Sequence, residues 1–377
     1  MSIEITADFV VELISSIRRF QTEKERKIKL RKGCPESTIW KGLFSTLLKI
    51  TIGLIILLAV IFDFINGFHD TANSIATSVS TRVLTPRAAT LMSGTLNFVG
   101  ALVNVNVANT IASGILNGSP ALYIIASALC GAIIWNLLTW YIALPSSSSH
   151  ALIGSLIGSA IIASSNFRVI NWMNILDKVI IPLFSSPFIG FIIGYCVMKL
   201  IFFILHAASR KSVNKCFSKL QICSAALMAY SHGSNDAQKT MGIITLALLS
   251  GGFIKASDGI PLMVKLVCAA AMALGTSFGG WRIIKTIGIN MIRLEPVEGF
   301  AAETSAAAVI QIMTAMGAPV STTHVISSAI MGVGSSKRFS AIRWSTAKDI
   351  VVTWFVTIPA TMLLGAFFTF IFRLFIH

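Results

Sequence analysis

Charge is scarce in this chain. Of its 377 residues, 12% are Asp, Glu, Lys or Arg, against about 25% in an ordinary soluble domain. That excludes a conventional water-facing surface over most of the length. Cysteine is scarce as well. Cys34, Cys130, Cys196, Cys216, Cys223 and Cys268 are scattered, and none sits in a C-x-x-C pair. Neither a zinc site nor a disulfide framework is expected, and the six read as small apolar side chains. No G-x-S-x-G or H-E-x-x-H occurs, so two common hydrolase signatures are missing. No cleavable leader is recognisable either, because the first apolar span starts near residue 45, behind a basic arm.

What is abundant is apolar. Hydrophobic residues make up 55% of the chain, and the mean hydropathy is +0.80. Apolar runs of about 20 residues recur along the whole length, the mark of an all-α protein that crosses a membrane many times. The net charge of +15 admits nucleic acid as a partner, but its distribution favours lipid. The basic residues cluster outside the apolar runs. Arg18, Arg19, Lys24, Arg26, Lys27, Lys29, Arg31 and Lys32 lie in the N-terminal arm, and Arg210, Lys211, Lys215 and Lys219 in a mid-chain loop. This is the pattern of cytoplasmic segments. The bilayer is the expected partner and nucleic acid is not. The arm also has apolar spacing (Phe9, Val10, Leu13, Ile14, Ile17) that suits a helix lying on the membrane surface.

The apolar segments fall near 45–69, 71–83, 86–109, 119–144, 146–164 and 177–205, then 220–235, 237–255, 260–281, 299–316, 319–334 and 347–375. The expected organisation is a basic cytoplasmic arm over 1–44, a transmembrane repeat over 45–205, a basic cytoplasmic linker over 206–219 and a second transmembrane repeat over 220–377. Several segments are short or interrupted by Gly, Pro and Ser. Such backbone is tolerated at membrane depth only where protein or a water-filled cavity satisfies its polar groups.

The halves repeat. "GFHDTAN" places Gly67-x-x-Asp70, and "SHGSNDAQK" places Gly233-x-x-Asp236, at an offset of 166 (236 − 70). "LPSSSSHALIGSLIG" gives Pro145-x-Ser147-x-x-His150, and "APVSTTHVISSAIMG" gives Pro319-x-Ser321-x-x-His324, at an offset of 174 (324 − 150). Two unlike motifs in the same order at nearly the same offset indicate duplication. Duplicated halves with interrupted polar segments in corresponding places point to a secondary transporter whose site lies between the repeats. An odd number of crossings per half makes the repeats inverted.

The Pro-x-Ser-x-x-His stretches read as helix starts. Pro145 and Pro319 suit the first helical position. Ser146 to Ser149, and Ser321 with Thr322 and Thr323, then fill the first turn, where unpaired backbone N–H groups and the helix dipole favour an anion. Two such turns facing each other can wrap a tetrahedral oxyanion without an Arg. The plainer reading is that these hydroxyls cap a helix or bond a neighbouring one, and recurrence in both halves counts against it.

Asp70 and Asp236 each follow a Gly by three residues, at an expected break between apolar runs. An Asp inside a membrane helix costs about 2.5–3.5 kcal/mol on insertion scales, so such acids usually mark ion or proton paths. A carboxylate beside an anionic substrate repels it unless a cation or proton intervenes, and that requirement is itself a coupling device. Asn73 and Asn235 can give oxygens to the cation or donors to the anion. Asp63 lies seven residues before Asp70 on the same helical face and suits a second proton carrier. Lys239 can form a plain salt bridge with Asp236 or meet substrate. Glu303 suits an ion path or a structural hydrogen bond. His69, His150, His232 and His324 are titratable near neutrality; for His150 and His324, recurrence favours a bond that orients the tips. "GGWRIIKTIG" (Gly279 to Gly288) reads as an interfacial loop. Ser147 and His150 lie within reach on one helical face, but a duplicated motif is unexpected for a single hydrolytic centre, so no enzyme and no cofactor are expected. A channel also uses broken helices and acids.

These residues resemble a known family. Over about residues 45–375 the chain is similar to the PiT-type inorganic phosphate transporters, the low-affinity phosphate permeases of bacteria and their eukaryotic relatives. The likeness rests on "NGFHDTANSIATSVSTRVLTPRAA", "SHGSNDAQKTMGIITLAL", "GGWRIIKTIG" and the paired "PSSSSH" and "PVSTTH" tips. It implies two inverted repeats with re-entrant helical hairpins, a homodimer, and a multi-pass protein of the cell membrane. It implies phosphate held by Asp70, Asn73, Ser147, Ser148, Ser149, Asp236, Ser321, Thr322 and Thr323. Asp70, Asp236, Asn235 and Asp63 are the expected carriers of the coupling ion, and no protein-bound metal is expected. Sodium-coupled relatives tend to read G-A-N-D-x-A-N-A in both halves. Here Lys239 replaces an Asn, and Asn97 stands where many relatives have an acid, so possible cation ligands are missing. The form resembles the proton-coupled bacterial branch, whose substrate can be a metal–phosphate complex. Proton symport of phosphate is therefore the expectation. Sodium coupling, or another oxyanion such as sulfate, is the alternative.

Overall fold

The computed structural model describes residues 37–376. The amphipathic arm, its basic residues and Cys34 lie outside the described residues. Within them the chain is all helix, with one isolated β-bridge between Leu116 and Ile170. The first half contains α1 (Ser37–Ser80), α2 (Pro86–Val103), α3 (Asn106–Gly114), α4 (Leu122–Tyr141), α5 (Ser148–Ser164) and α6 (Trp172–Ile204), the last with a π-turn over Leu176–Ile180. The second half contains α7 (Arg210–Ser250), α8 (Leu262–Phe278), α9 (Trp281–Lys285), α10 (Pro296–Ala315), α11 (Thr322–Lys337) and α12 (Trp344–Ile376).

Four of these helices are long and apolar enough to cross a membrane, or up to six if each bent pair counts as one span. The bends recur at equivalent places: α2 meets α3 at 63°, and α8 meets the stretch Trp281–Gly288 at 61°. The expected loop over Gly279–Gly288 is thus mostly helix, the counterpart of α3. Large apolar side chains such as Leu91, Phe188, Phe203 and Leu363 stand exposed around the outside, as lipid contact requires. The protein is a multi-pass membrane protein.

Helix partners follow a two-fold pattern. α5 packs on α12 of the other half, and α11, its equivalent, packs on α6. α2 packs on α7, and α8 packs on α1. The equivalent long helices α1 and α7 run side by side in opposite directions: Ile52 meets Gly251 at one end, while Thr81 donates to Gln221 Oε1 at 2.9 Å at the other. Equivalent helices running antiparallel are the signature of inverted repeats. The halves interlock rather than standing as separate bodies.

Two apolar cores result. One takes Ile52 to Phe62 of α1 with Ala237 to Ala247 of α7, and the other takes Ala72 to Ala76 of α1 with Phe217 and Met228 of α7. Both long helices therefore leave one core and enter the other near Asp70 and Asp236. That gap between the cores is where polar side chains collect.

The expected breaks at Asp70 and Asp236 do not occur, since α1 and α7 are continuous through both. The glycines serve close approach instead. A Cβ on Gly67 would strike the Met272 carbonyl oxygen at 2.5 Å, and one on Gly233 would strike that of Asn97. Gly275 lies against the Phe64 carbonyl, and Gly100 lies against that of Tyr230. These four glycines clamp α1 to α8 and α7 to α2 by repeat-related contacts.

The basic mid-chain stretch from Arg210 to Lys219 is likewise no loop but the first turns of α7, capped by Ser209. Since α1 and α7 are antiparallel, α1 starts at the end of the bundle opposite to where α7 starts.

Gly275→Ala and Gly100→Ala are each expected to destabilise the protein by about 1–3 kcal/mol through overpacking. Gly53→Ala, with nothing within 4 Å, is expected to be neutral or stabilising. Thermal unfolding in detergent checks this. Equal midpoints for all three would contradict the clamp.

Candidate functional site

The two short helix starts meet the two long helices in the polar gap. α5 opens with Ser147 as N-cap, its hydroxyl accepting from the His150 N–H at 3.2 Å. α11 opens with Ser321, which accepts from the His324 N–H at 3.2 Å. Pro145 and Pro319 stand three residues ahead of these helices and not in the first turn. The hydroxyl caps set the start because each satisfies a backbone donor, whereas a Pro only omits one.

Next come the residues that reach the acids. Ser148 donates to Asp70 Oδ2 at 2.6 Å, and its equivalent Thr322 donates to Asp236 Oδ2 at 3.1 Å. Contacts also cross between halves. Thr323 lies 3.4 Å from Asp70 Oδ1, and Asn73 Nδ2 donates to Thr322 and Thr323 at 3.1 and 2.9 Å. Ser149 donates to the Val320 carbonyl at 3.0 Å. Asp70 is 2% exposed and Asp236 is fully buried.

The acids differ in their basic neighbours. His69 Nδ1 lies 2.7 Å from Asp70 Oδ1, and its Nε2 faces the hydroxyls of Thr139 and Ser146. Lys239 Nζ donates to Asp236 Oδ1 at 2.6 Å, and His232 Nε2 lies 3.3 Å from Asp236 Oδ2. His232 Nδ1 donates to Asn97 Oδ1 at 3.1 Å. Ligand atoms of Asp70, His232 and Asp236 lie within 4.8 Å of one another. At that spacing three side chains can share one small cation or shared protons.

Most of the expected residues are brought together here, and some are turned elsewhere. Asn235 gives its amide to Thr314 Oγ1 at 2.7 Å and to the Ala318 carbonyl at 3.3 Å, so it braces α10 and the approach to α11. Its equivalent His69 makes the matching contact to Thr139. Asp63 is buried two turns from Asp70, beside Thr240 and within electrostatic range of Asp236 and Lys239. Glu303 sits at the other end of the α1–α7 seam, accepting from Thr77 at 2.5 Å, from Gln221 at 3.2 Å and from Ser224.

The rings of His150 and His324 do not orient the tips by hydrogen bonds. They stack on each other at 5.1 Å, and His324 stacks on Trp354 at 4.3 Å, while their ring nitrogens have no protein partner. The tip is fixed through their backbone N–H groups. The sequence marks His232 only as titratable, although its i, i+4 spacing to Asp236 is a usable signal of contact. Among the described residues Cys130, Cys196, Cys216, Cys223 and Cys268 are free thiols.

Comparison with known proteins gives this geometry a context. The profile described as "Phosphate transporter family" matches residues 66–365. A Bacillus subtilis protein named "Probable low-affinity inorganic phosphate transporter" is 47% identical over 324 residues, covering 84% of this chain and 96% of that protein. A Rhizobium meliloti protein of the same name is 45% identical over 314 residues, covering 83% and 93%. A solved structure named "The sodium-dependent phosphate transporter" superposes with a TM-score of 0.73 at 25% identity, covering 85% of this chain and 99% of that one. All of these names denote transporters and none an enzyme.

Asn73→Ala is expected to cost about 1–2 kcal/mol of stability, having removed bonds to two buried hydroxyls. In a double-mutant cycle with Thr323→Val, read by thermal unfolding, the two losses are expected to be non-additive by at least about 0.5 kcal/mol. Additive losses would mean that the two side chains do not meet.

Proposed function

The chain belongs to the phosphate transporter family, and from that premise we propose that it imports inorganic phosphate across the cell membrane by proton symport, with the two acids and two helix starts as its substrate site. The observation that carries this reading is who holds the anion seats. Ser148 and Thr322, on the first turns of α5 and α11, give their hydroxyls to Asp70 and Asp236. Helix starts with Ser and Thr hydroxyls are suited to an oxyanion, and the acceptors here are the protein's own carboxylates.

Phosphate and ionised carboxylates therefore compete for the same donors. Two unit charges about 4 Å apart repel by about 4 kcal/mol near a protein surface and more inside. A proton on a carboxylate removes both the charge and the need for those donors. Protonation then frees Ser148, Thr322 and Thr323 to bind phosphate oxygens, with Ser149 turning from the Val320 carbonyl and Asn73 adding an amide donor. Ser147 and Ser321 keep the helix starts in place. Asp70 and Asp236 are the proton-linked acids, and Asp63, two turns away on α1, is a second station on the path. Asn235 takes part only through its carbonyl oxygen, its amide being committed to α10.

Lys239 and His69, basic groups on the two acids, support protons over sodium. The sodium reading draws on the solved relative, sodium-dependent by name, and on the convergence of Asp70, His232 and Asp236. The same convergence suits a metal ion entering as part of a metal–phosphate substrate. We retain 45–205 and 220–377 as the transmembrane repeats, joined by the basic linker over 206–219. A cytoplasmic linker is supported by its own basic residues, Arg210, Lys211, Lys215 and Lys219.

Labelled phosphate uptake into proteoliposomes tests this. An inward proton gradient without sodium is expected to drive accumulation, and Asp70→Asn is expected to lower it by roughly tenfold or more, 1.4 kcal/mol or above. Uptake that requires sodium would replace the proton by sodium. Absence of uptake from folded protein would return sulfate and the channel reading to the front.

A further inference from the structure

At the two helix starts and the acids they hold, repeat-related positions carry like chemistry, and two charged residues nearby have no charged counterpart at the offset of 166: Asp63, matched by Ala229, and Lys239. Asp70 matches Asp236, Ser148 matches Thr322, and Thr139 matches Thr314. Lys239, however, occupies the position that Asn73 holds in the first half, at the same offset of 166 (239 − 73). Asn73 is neutral and serves the tip hydroxyls of Thr322 and Thr323. Lys239 is a cation, 1% exposed and among the largest fully buried side chains, and its Nζ lies 2.6 Å from Asp236 Oδ1. A buried lysine is rarely found unless paired, and an ion pair in such surroundings is weak evidence for stability as such.

Its surroundings are mixed in charge. His232 contacts the same carboxylate, Asp63 lies within electrostatic range, and so do the imidazoles of His150 and His324. Asp70 faces the cluster from α1, within 4.8 Å of the His232 and Asp236 ligand atoms. Of the two carboxylates held by the helix starts, Asp70 and Asp236, the ammonium offsets one charge and leaves one for a cation or proton from solution, where two would be needed without the lysine; Asp63 lies outside that convergence. Residues 231–247 of α7 are buried throughout, so the ammonium stays with the protein while substrate moves.

Resting on the phosphate reading above, and narrowing its two proton-linked acids to one, we propose that Lys239 is a tethered counter-cation: it supplies at Asp236 the positive charge that a co-transported cation would otherwise bring, and only the Asp70 half draws its neutralising ion from solution. The vacated position, with Asp236, Asp70 and His232 around it, is then a place where a free monovalent cation can substitute.

The test is equilibrium binding of radiolabelled inorganic phosphate to the purified full chain, at one pH, in choline chloride and in sodium chloride. Wild type is expected to bind equally in both salts. Lys239→Asn, which copies the first half, is expected to bind at least tenfold more tightly in sodium than in choline. Lys239→Arg, which keeps the charge, is expected to bind in both salts alike, though more weakly than wild type. Lys239→Asn that binds measurably and equally in both salts would overturn the proposal and leave the functional reading intact. If Lys239→Asn binds in neither salt, Lys239→Arg decides. Binding by that variant upholds the charge requirement, and no binding from monodisperse, cooperatively unfolding protein overturns it. Wild type that binds no phosphate would overturn the functional reading and this proposal with it.

Discussion

Two buried carboxylates held by the starts of two short helices are the constraint on which the rest of this protein depends. Asp70 and Asp236 sit where α1 and α7 pass from one apolar core into the other, so no apolar partner is available to them. Their tolerance at that depth comes from hydroxyl donors, His69, His232 and Lys239. Burying an acid without such partners would cost several kcal/mol. The inverted repeat makes the arrangement possible. It delivers one acid and one helix start from each half to the same place, and the four clamping glycines bring the helix backbones close enough for side chains to meet.

That arrangement also sets the terms of transport. A helix start that already holds an internal anion releases it only when the anion loses its charge or gains a counter-ion. In the proposed mechanism substrate binding and ion binding share one set of donors, neither is favourable alone, and coupling follows from competition for Ser148 and Thr322, without a separate relay between distant sites. The stacked His150, His324 and Trp354 rings lie behind the tips, tying the two helix starts to each other and to α12. A change in one tip is thereby felt by the other.

Much of this was legible in the sequence, for reasons that differ by residue. The repeated Gly-x-x-Asp and Pro-x-Ser-x-x-His motifs stand out because polar groups are conspicuous in apolar surroundings, and their offsets exposed the duplication. Segment positions were legible because apolar runs fix helix placement in a membrane. Helix continuity at Asp70 and Asp236 was not. Glycine reads as a breaker locally, and only the partner helix reveals that Gly67 and Gly233 are points of close approach. The direction of Asn235 was hidden too, since adjacent residues on a helix diverge by about 100° and the local motif does not identify the neighbour each one meets. The antiparallel pairing of α1 with α7 was hidden as well, since charge counting alone does not contain it.

The central claim is one of place: phosphate takes the donors now held by Asp70 and Asp236. The most direct measurement is an anomalous difference map of the full chain crystallised with arsenate, a close mimic of phosphate whose scattering marks its position. The account predicts a single strong peak between the first turns of α5 and α11, within hydrogen-bond reach of Ser148, Ser149, Thr322 and Thr323, with both carboxylates turned away from those hydroxyls. A peak elsewhere, with the Ser148–Asp70 and Thr322–Asp236 bonds intact, would contradict it.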